Sequence, residues 1–197
     1  MTDVTFGIPV KPFGAAKRRL ADVLDPEARA RLGRRLAERT VQAVAECGAH
    51  PLVLSADEAV TNWAQAFGVD VQLDEGSSLD AAARAAVSRI RRSAGTWAIL
   101  HADLPIITAA DLTDAVALLR SGRSVIGPSS DGGTSLLGSA SDGFAFSYGK
   151  GSFHRHLRGL ASSDPTIVIA RGLLLDLDTP DDLRAAGATP EGAWLTR

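Results

Sequence analysis

Thr5-Phe6-Gly7-Ile8-Pro9-Val10, then Pro26 through Glu46, then Pro51-Leu52-Val53-Leu54-Ser55: read in order, these three stretches decide the fold. The first and third are short apolar runs of the composition that favours strands. Between them Leu32, Leu36, Val41 and Val44 recur at helical spacing, Pro26 stands in the first turn, and Cys47-Gly48 stops the run. Strand, long helix and strand form a crossover unit, and such units build parallel sheets. The alternation continues along the chain. Further strands are expected at 69–73, 97–101, 124–127, 135–137, 143–148 and 166–170, and further helices at 57–67, 78–93, 109–119 and 152–160. With no internal repeat, low-complexity linker or shift of composition, residues 1–197 read as a single α/β domain on a mostly parallel sheet.

The composition narrows the function. A chain of 197 residues, 45% of them hydrophobic, can bury one substantial core. Its net charge of −2 argues against a nucleic-acid partner, so any basic site is local. The single Cys47 excludes an internal disulfide framework and reads as a helix-end core residue in a reducing compartment. No signal-like leader and no run of about 18 apolar residues occurs, so the expectation is a soluble cytoplasmic protein with no membrane partner.

The first strand empties into Val10-Lys11-Pro12-Phe13-Gly14-Ala15-Ala16-Lys17-Arg18-Arg19-Leu20, a loop with glycine, small residues and four cations, where backbone and charge could close on a polyphosphate. Neither G-x-x-x-x-G-K-[ST] nor a G-x-G-x-x-G after the first strand is present, which disfavours P-loop kinases and ordinary dinucleotide dehydrogenases. Asp103 follows an apolar strand at the sheet end where such folds bind ligands, although an Asp before Leu104-Pro105 could equally shape a turn. Asp176 and Asp178 stand two apart, so an extended backbone turns both carboxylates to one side with Leu175 and Leu177 toward the core. Asp178 or Thr179 could instead cap a helix beginning at Pro180. Oxygen ligands in small number suit Mg²⁺. Zinc spacing is missing, and His154 and His156, flanking Arg155, read as surface residues of a helix. The arginines of the long helix, Arg29, Arg31, Arg34, Arg35 and Arg39, read as a solvated face. Asp131-Gly132-Gly133-Thr134 and Tyr148-Gly149-Lys150-Gly151-Ser152 offer glycine amides and a Ser152 helix cap, together a small anion cradle, though each alone is also common turn chemistry.

In this order Pro9-Val10-Lys11-Pro12, Gly14-Ala15-Ala16-Lys17, Arg19-Leu20, Asp103-Leu104-Pro105, Asp131-Gly132-Gly133-Thr134, Phe146-Ser147-Tyr148-Gly149, Gly151-Ser152-Phe153 and Asp176-Leu177-Asp178-Thr179-Pro180 span nearly the whole chain. The set resembles the small guanylyltransferases that make the phosphoester-linked GMP intermediate of deazaflavin coenzyme F-420 biosynthesis from 2-phospho-L-lactate or phosphoenolpyruvate. The resemblance implies a three-layer α/β/α sandwich with a mostly parallel mixed sheet, nucleotide-diphospho-sugar transferase-like and broadly Rossmann-like. It assigns Lys17 and Arg19 to the triphosphate of GTP, Asp103, Asp176 and Asp178 to Mg²⁺, and Thr134, Gly149 and Ser152, with Lys11, to substrate binding. Lys17, Arg19 and Asp103 are the implied catalytic set. Arg18, where a small residue is common, and Asp80, where an Asn is usual, depart from the pattern. Molybdopterin guanylyltransferases share the fold, but their L-A-G-G opening is replaced by Ile8-Pro9-Val10-Lys11.

The implied reaction is attack of an acceptor phosphate oxygen, already anionic near neutral pH, on the α-phosphorus of GTP with loss of pyrophosphate. An Ala- and Arg-rich composition of the high-GC actinobacterial kind favours phosphoenolpyruvate as acceptor, with functional coupling to the downstream deazaflavin-precursor transferase. The alternatives are a 3-phosphoglycerate or sugar-phosphate nucleotidylyltransferase with the same metal triad, and an inert GTP-binding protein.

Overall fold

The computed structural model describes residues 3–73, 78–93 and 95–196. Strands β1 (Val4–Pro9), β2 (His50–Ser55), β3 (Asp70–Leu73), β4 (Thr96–Leu100), β5 (Val125–Pro128), β6 (Thr134–Ser139) and β7 (Thr166–Ile167) form a sheet in the order β3-β2-β1-β4-β6-β5-β7. All neighbours run parallel except β6, which is antiparallel to both β4 and β5. The helices are α1 (Pro26–Glu46), α2 (Glu58–Ala66), α3 (Leu79–Arg92), α4 (Ala109–Arg120), α5 (Ser152–Gly159), α6 (Arg171–Leu174) and α7 (Pro180–Gly187). Among the described residues no helix is long and apolar enough to cross a membrane.

Local chemistry explains where the helices begin. Asp25, Asp57 and Ser78 each accept a hydrogen bond from a backbone N–H three residues on, at 2.7, 3.0 and 3.1 Å, satisfying amides that the first turn of a helix leaves unpaired. The alternation of β1 then sets two layers. Phe6 and Ile8 face the side packed by Val41 and Val44 of α1, Trp63 of α2 and Leu112 and Val116 of α4. Gly7 faces the other side, where Ala83, Ala86, Val87 and Ile90 of α3 meet Trp97, Ile99 and Leu137. A Cβ on Gly7 would lie 2.9 Å from Ile99 Cδ1 and 3.3 Å from Ala86 Cβ, so the missing side chain is what lets α3 approach β1.

Two expected strands differ. Residues 143–148 pair with no strand, because both edges of β6 are taken by β4 and β5. Their alternating aromatics instead cover the α3 face of the sheet: Phe146 packs against Trp97 at 5.5 Å between ring centres, and Phe146 and Tyr148 stack at 5.9 Å. The strand expected at 166–170 pairs as a strand only over Thr166–Ile167, and the chain then turns into α6. Of the α1 arginines, Arg31 and Arg34 pair with Glu27 and Glu38 on the surface as expected. Arg35 and Arg39 do not form an open solvated face; their guanidinium groups lie 4.9 and 5.3 Å from the Trp194 ring centre, fastening the C-terminal segment to α1.

Candidate active site

Sheet order reverses between β1 and β4, the position at which open α/β sheets leave a crevice at their carboxyl ends. The loop after β1 enters this crevice. Leu20, which closes a 3₁₀ turn (Arg18–Leu20), is fully buried with Leu32 and Leu36 of α1 and with Leu177. That leucine cluster draws two distant loops together. The Leu177 N–H also donates to the Asp103 carbonyl at 2.9 Å, so the end of β4 and the 175–178 segment lie side by side.

Lys17 stands where these loops meet. Its Nζ donates to Asp103 Oδ2 at 3.2 Å and to Asp178 Oδ1 at 3.1 Å, and its side chain is only 8% exposed. Lys17 adopts φ 53°, a left-handed backbone uncommon outside glycine and typical of sites where surrounding structure over-determines the chain. Burial alone would raise the Asp103 carboxyl, but the Lys17 charge and hydrogen bond, aided by His101, hold it below the usual carboxylate range. The helix at Pro180 does begin as the sequence allows, and its cap is Thr179, reciprocated by Asp182. Asp178 is thereby left to the site.

Among the described residues Asp176 forms no ion pair. Burial, then the charge of Asp103, and lesser contributions from Asp131 and Asp178, raise its carboxyl to about 6. Leu177 between the two aspartates is fully buried while Leu175 is only partly so. Among the described residues no three acidic or imidazole groups already converge on one point, and the Lys17 ammonium occupies the gap between two of the expected ligands. The donor set nevertheless suits a hard cation: three carboxylates, one of them strained by its neighbours, and an Asp103 Oδ1 that is buried without a partner. The other buried polar atoms lacking partners among the described residues include His101 Nε2 and the Tyr148 hydroxyl, neither named as a site residue from the sequence, whose rings lie 5.4 Å apart. Burial lowers the imidazole of His101 against the pull of Asp103. The signal for His101 was its place two residues before Asp103, at the end of the same strand.

The glycine segments form the other wall. The Asp131 carboxylate accepts from the Ser129 hydroxyl and from the Gly133 N–H, shaping the turn that delivers Thr134. Thr134 Oγ1 and Ser152 Oγ lie 3.1 Å apart, both buried. Ser152 is not the helix cap that was expected: Gly151, at φ 70°, takes that position and Ser152 begins the helix. The Arg155 guanidinium donates to the carbonyls of Ser147, Tyr148 and Lys150. In a trans peptide the following N–H points opposite to the carbonyl, and no cis bond occurs among the described residues. The amides of Gly149 and Gly151 therefore face away from Arg155, as an anion cradle needs, while that of Tyr148 donates to Asp80 Oδ1 at 2.8 Å. Asp80, the departure from the family pattern, thus holds this loop against α3.

His156 requires a correction. It is not a surface residue but fully buried, with the Ser147 N–H donating to its Nε2 at 2.9 Å and its Nδ1 3.0 Å from Thr134 Oγ1. Its partners come from β6 and from the loop before α5, outside its own helix, while His154 is exposed as expected. Lys11 and Arg19 are exposed and form no ion pair among the described residues, so the structure brings neither into the Lys17 cluster.

Residues 4–186 match the family described as guanylyl transferase, CofC like. A phosphoenolpyruvate guanylyltransferase of Rubrobacter xylanophilus is 34% identical over 183 residues, 89% of each chain. A 2-phospho-L-lactate guanylyltransferase of Methanothermobacter thermautotrophicus is 30% identical over 182 residues, 89% of this chain and 80% of its own. Among solved structures, one assigned as a nucleotide-diphospho-sugar transferase from Desulfovibrio desulfuricans superposes with a TM-score of 0.81 at 18% identity, covering 100% of this chain and 95% of that one. A manganese complex of a Mycobacterium tuberculosis protein gives a TM-score of 0.57 at 15% identity, covering 94% and 97%. These structural likenesses show the fold.

Proposed function

The chain belongs to the CofC-like guanylyl transferase family, and from that premise we propose that its single domain transfers GMP from GTP to the phosphate of a three-carbon phospho-acid, releasing pyrophosphate, in deazaflavin coenzyme F-420 biosynthesis in the cytoplasm. Phosphoenolpyruvate is the favoured acceptor, since the more similar of the two curated relatives carries that name; 2-phospho-L-lactate is the other. The observation that carries the reading is the facing pair of walls: Lys17 between Asp103 and Asp178 on one side, and the Thr134, Ser152 and Gly149 donors on the other.

The chemistry asks mainly for positioning and charge neutralisation. An acceptor phosphate oxygen forms a bond to the α-phosphorus, the bond from that phosphorus to the β-bridging oxygen breaks, and pyrophosphate departs without any proton having to be removed. Thr134, Ser152 and the Gly149 amide would orient the acceptor, with Lys11 at the exposed rim. Lys17, released from its carboxylates toward the triphosphate, and Arg19 would offset charge on the departing pyrophosphate. Asp103, Asp176 and Asp178 would hold Mg²⁺, which when bound screens the repulsion between the two anionic substrates. A structural relative that binds manganese supports a divalent ion in this fold.

The test is pyrophosphate release from GTP and Mg²⁺ with phosphoenolpyruvate, 2-phospho-L-lactate or 3-phosphoglycerate, each with and without the downstream deazaflavin-precursor transferase. Release that depends on phosphoenolpyruvate or 2-phospho-L-lactate is expected. Release only with 3-phosphoglycerate, or GTP binding with no release under any condition, would overturn the assignment.

A further inference from the structure

The Thr134–Ser152 pair can meet an anion in two ways, presenting a hydroxyl hydrogen or presenting only lone pairs, and counting hydrogens decides which. Ser147 N–H donates to His156 Nε2, and a backbone amide always carries its hydrogen, so Nε2 is a bare acceptor. A neutral imidazole has one remaining proton, which is then on Nδ1 and points to Thr134 Oγ1 at 3.0 Å. The two hydroxyls share one further link, Thr134 to Ser152, at 3.1 Å. That link uses one hydroxyl hydrogen, and neither oxygen has another partner among the described residues. One hydroxyl hydrogen is left over. Were the tautomer reversed, Nδ1 would consume one hydroxyl hydrogen and the link the other, leaving only lone pairs to face an anion.

We infer that His156 is a positioning residue whose fixed Nδ1–H tautomer polarises the Thr134–Ser152 pair, so that it donates a hydrogen bond to the anionic acceptor. The inference rests on the proposed role of that pair in acceptor binding. The surroundings fix the ring: the aromatic groups of Phe144, Phe146 and Tyr148 enclose it at 5.7, 6.4 and 4.7 Å between centres. Burial lowers its pKa to about 4, which keeps it neutral at pH 7. Arg155, one residue earlier, gathers the carbonyls of the same loop, so adjacent side chains of α5 prepare hydroxyl and amide donors for one anion.

Two measurements test it. Long-range proton–nitrogen correlation NMR of the ligand-free chain reads the tautomer of each of the four histidines, with His156 identified by the signals missing from His156→Asn. A protonated Nδ1 and bare Nε2 at pH 7 are expected; a protonated Nε2 or an imidazolium overturns the inference. Kinetics then separate positioning from mere packing. His156→Phe keeps the ring and removes both hydrogen bonds, and should raise the acceptor KM about tenfold or more, the value of a donor to a charged group, with the GTP KM within about twofold. His156→Asn, whose amide can still donate toward Thr134, should recover part of that loss. If both KM values move together, or Asn and Phe behave alike, the role is structural and the inference fails. If the unmodified chain releases no pyrophosphate with any acid, the functional reading fails and, with it, acceptor donation by the pair; the NMR result then still reports whether His156 fixes the hydrogen-bond direction, so the two failures are told apart.

Discussion

Replacing Asp176 by Asn should make the metal-free protein more stable and the enzyme far slower. The carboxyl of Asp176 is raised to about 6 by burial and by neighbouring carboxylates. A folded-state value above the unfolded one means that the native state holds the proton more tightly, so stability is greatest at low pH and falls as pH rises from about 4 through about 6. A rise to about 6 corresponds to about 3 kcal/mol when the group is fully ionised. The residue is partly exposed and solvent screens it, so we take about 1–2 kcal/mol as the working cost at pH 8. Asn has the same shape and no charge. In the absence of divalent ions its melting temperature at pH 8 should exceed that of the unmodified chain by about 2–8 °C, and the advantage should vanish at pH 4. Adding Mg²⁺ should narrow or invert the difference, because binding to the native state stabilises the carboxylate form more. Turnover should fall by about a hundredfold or more if the ligand role is correct. The assay is calorimetry across pH with chelator and with Mg²⁺, joined to pyrophosphate release. An Asn variant that melts lower than the unmodified chain at pH 8 without metal, or that turns over normally at saturating Mg²⁺, refutes the reasoning.

Lys17→Met leaves the Asp103 and Asp178 carboxylates with no cation between them, and should cost about 1–3 kcal/mol at pH 7 in denaturant titrations. Gly7→Ala forces a methyl to within 2.9 Å of Ile99, with an expected loss of about 1–3 kcal/mol and a looser α3 in hydrogen exchange, since overpacking a core is destabilising. His156, lowered to about 4, should make the protein acid-labile: its unfolded form takes up a proton below about 6.5, so about 3 kcal/mol is lost as pH falls from there toward 4. His156→Phe should flatten that part of the pH–stability curve.

What could be read from the sequence divides along the range of the interactions. The bounds of α1 were legible because everything that sets them is local: Asp25 caps, Pro26 fits the first turn, and Gly48 at φ 77° ends the run. Asp103 was legible because it comes close after the buried strand β4, and Asp178 because it alternates with Leu177, whose burial turns its neighbours outward. Residues 143–148 were misread because their period of two is genuine while its cause is not a ladder; Phe144, Phe146 and Tyr148 all face the sheet and α3, while Gly143 and Ala145 face solvent. His156 was misread although a signal existed. Phe153, His156, Leu157 and Leu160 lie at helical spacing on the buried stripe of α5, so the histidine belonged with the apolar face and needed partners that only the tertiary fold supplies. Lys17 in the gap between two carboxylates was beyond reach, because that contact spans 86 residues to Asp103 and 161 to Asp178.

The single antiparallel strand explains why both walls of the crevice meet. In a wholly parallel sheet only the residues that follow strands reach the carboxyl end, and the first residues of strands lie at the opposite end. Here β6 runs against β4, with Leu100 opposite Leu136 and the His101 N–H donating to the Ser135 carbonyl at 3.0 Å. The first residue of β6, Thr134, thereby lies at the same end as Asp103, the residue expected to hold charge. The turn that Asp131 shapes is short enough to keep Thr134 there, and Phe153 N–H closes on the Gly132 carbonyl at 3.3 Å to bring the start of α5 to it. Reversing one strand therefore adds a donor wall to a sheet end that parallel strands alone would furnish only with carboxylates and a basic loop. The acceptor wall and the charge wall are consequently held by one register, and a slip of β6 by a single residue would turn Thr134 to the opposite face and dismantle both.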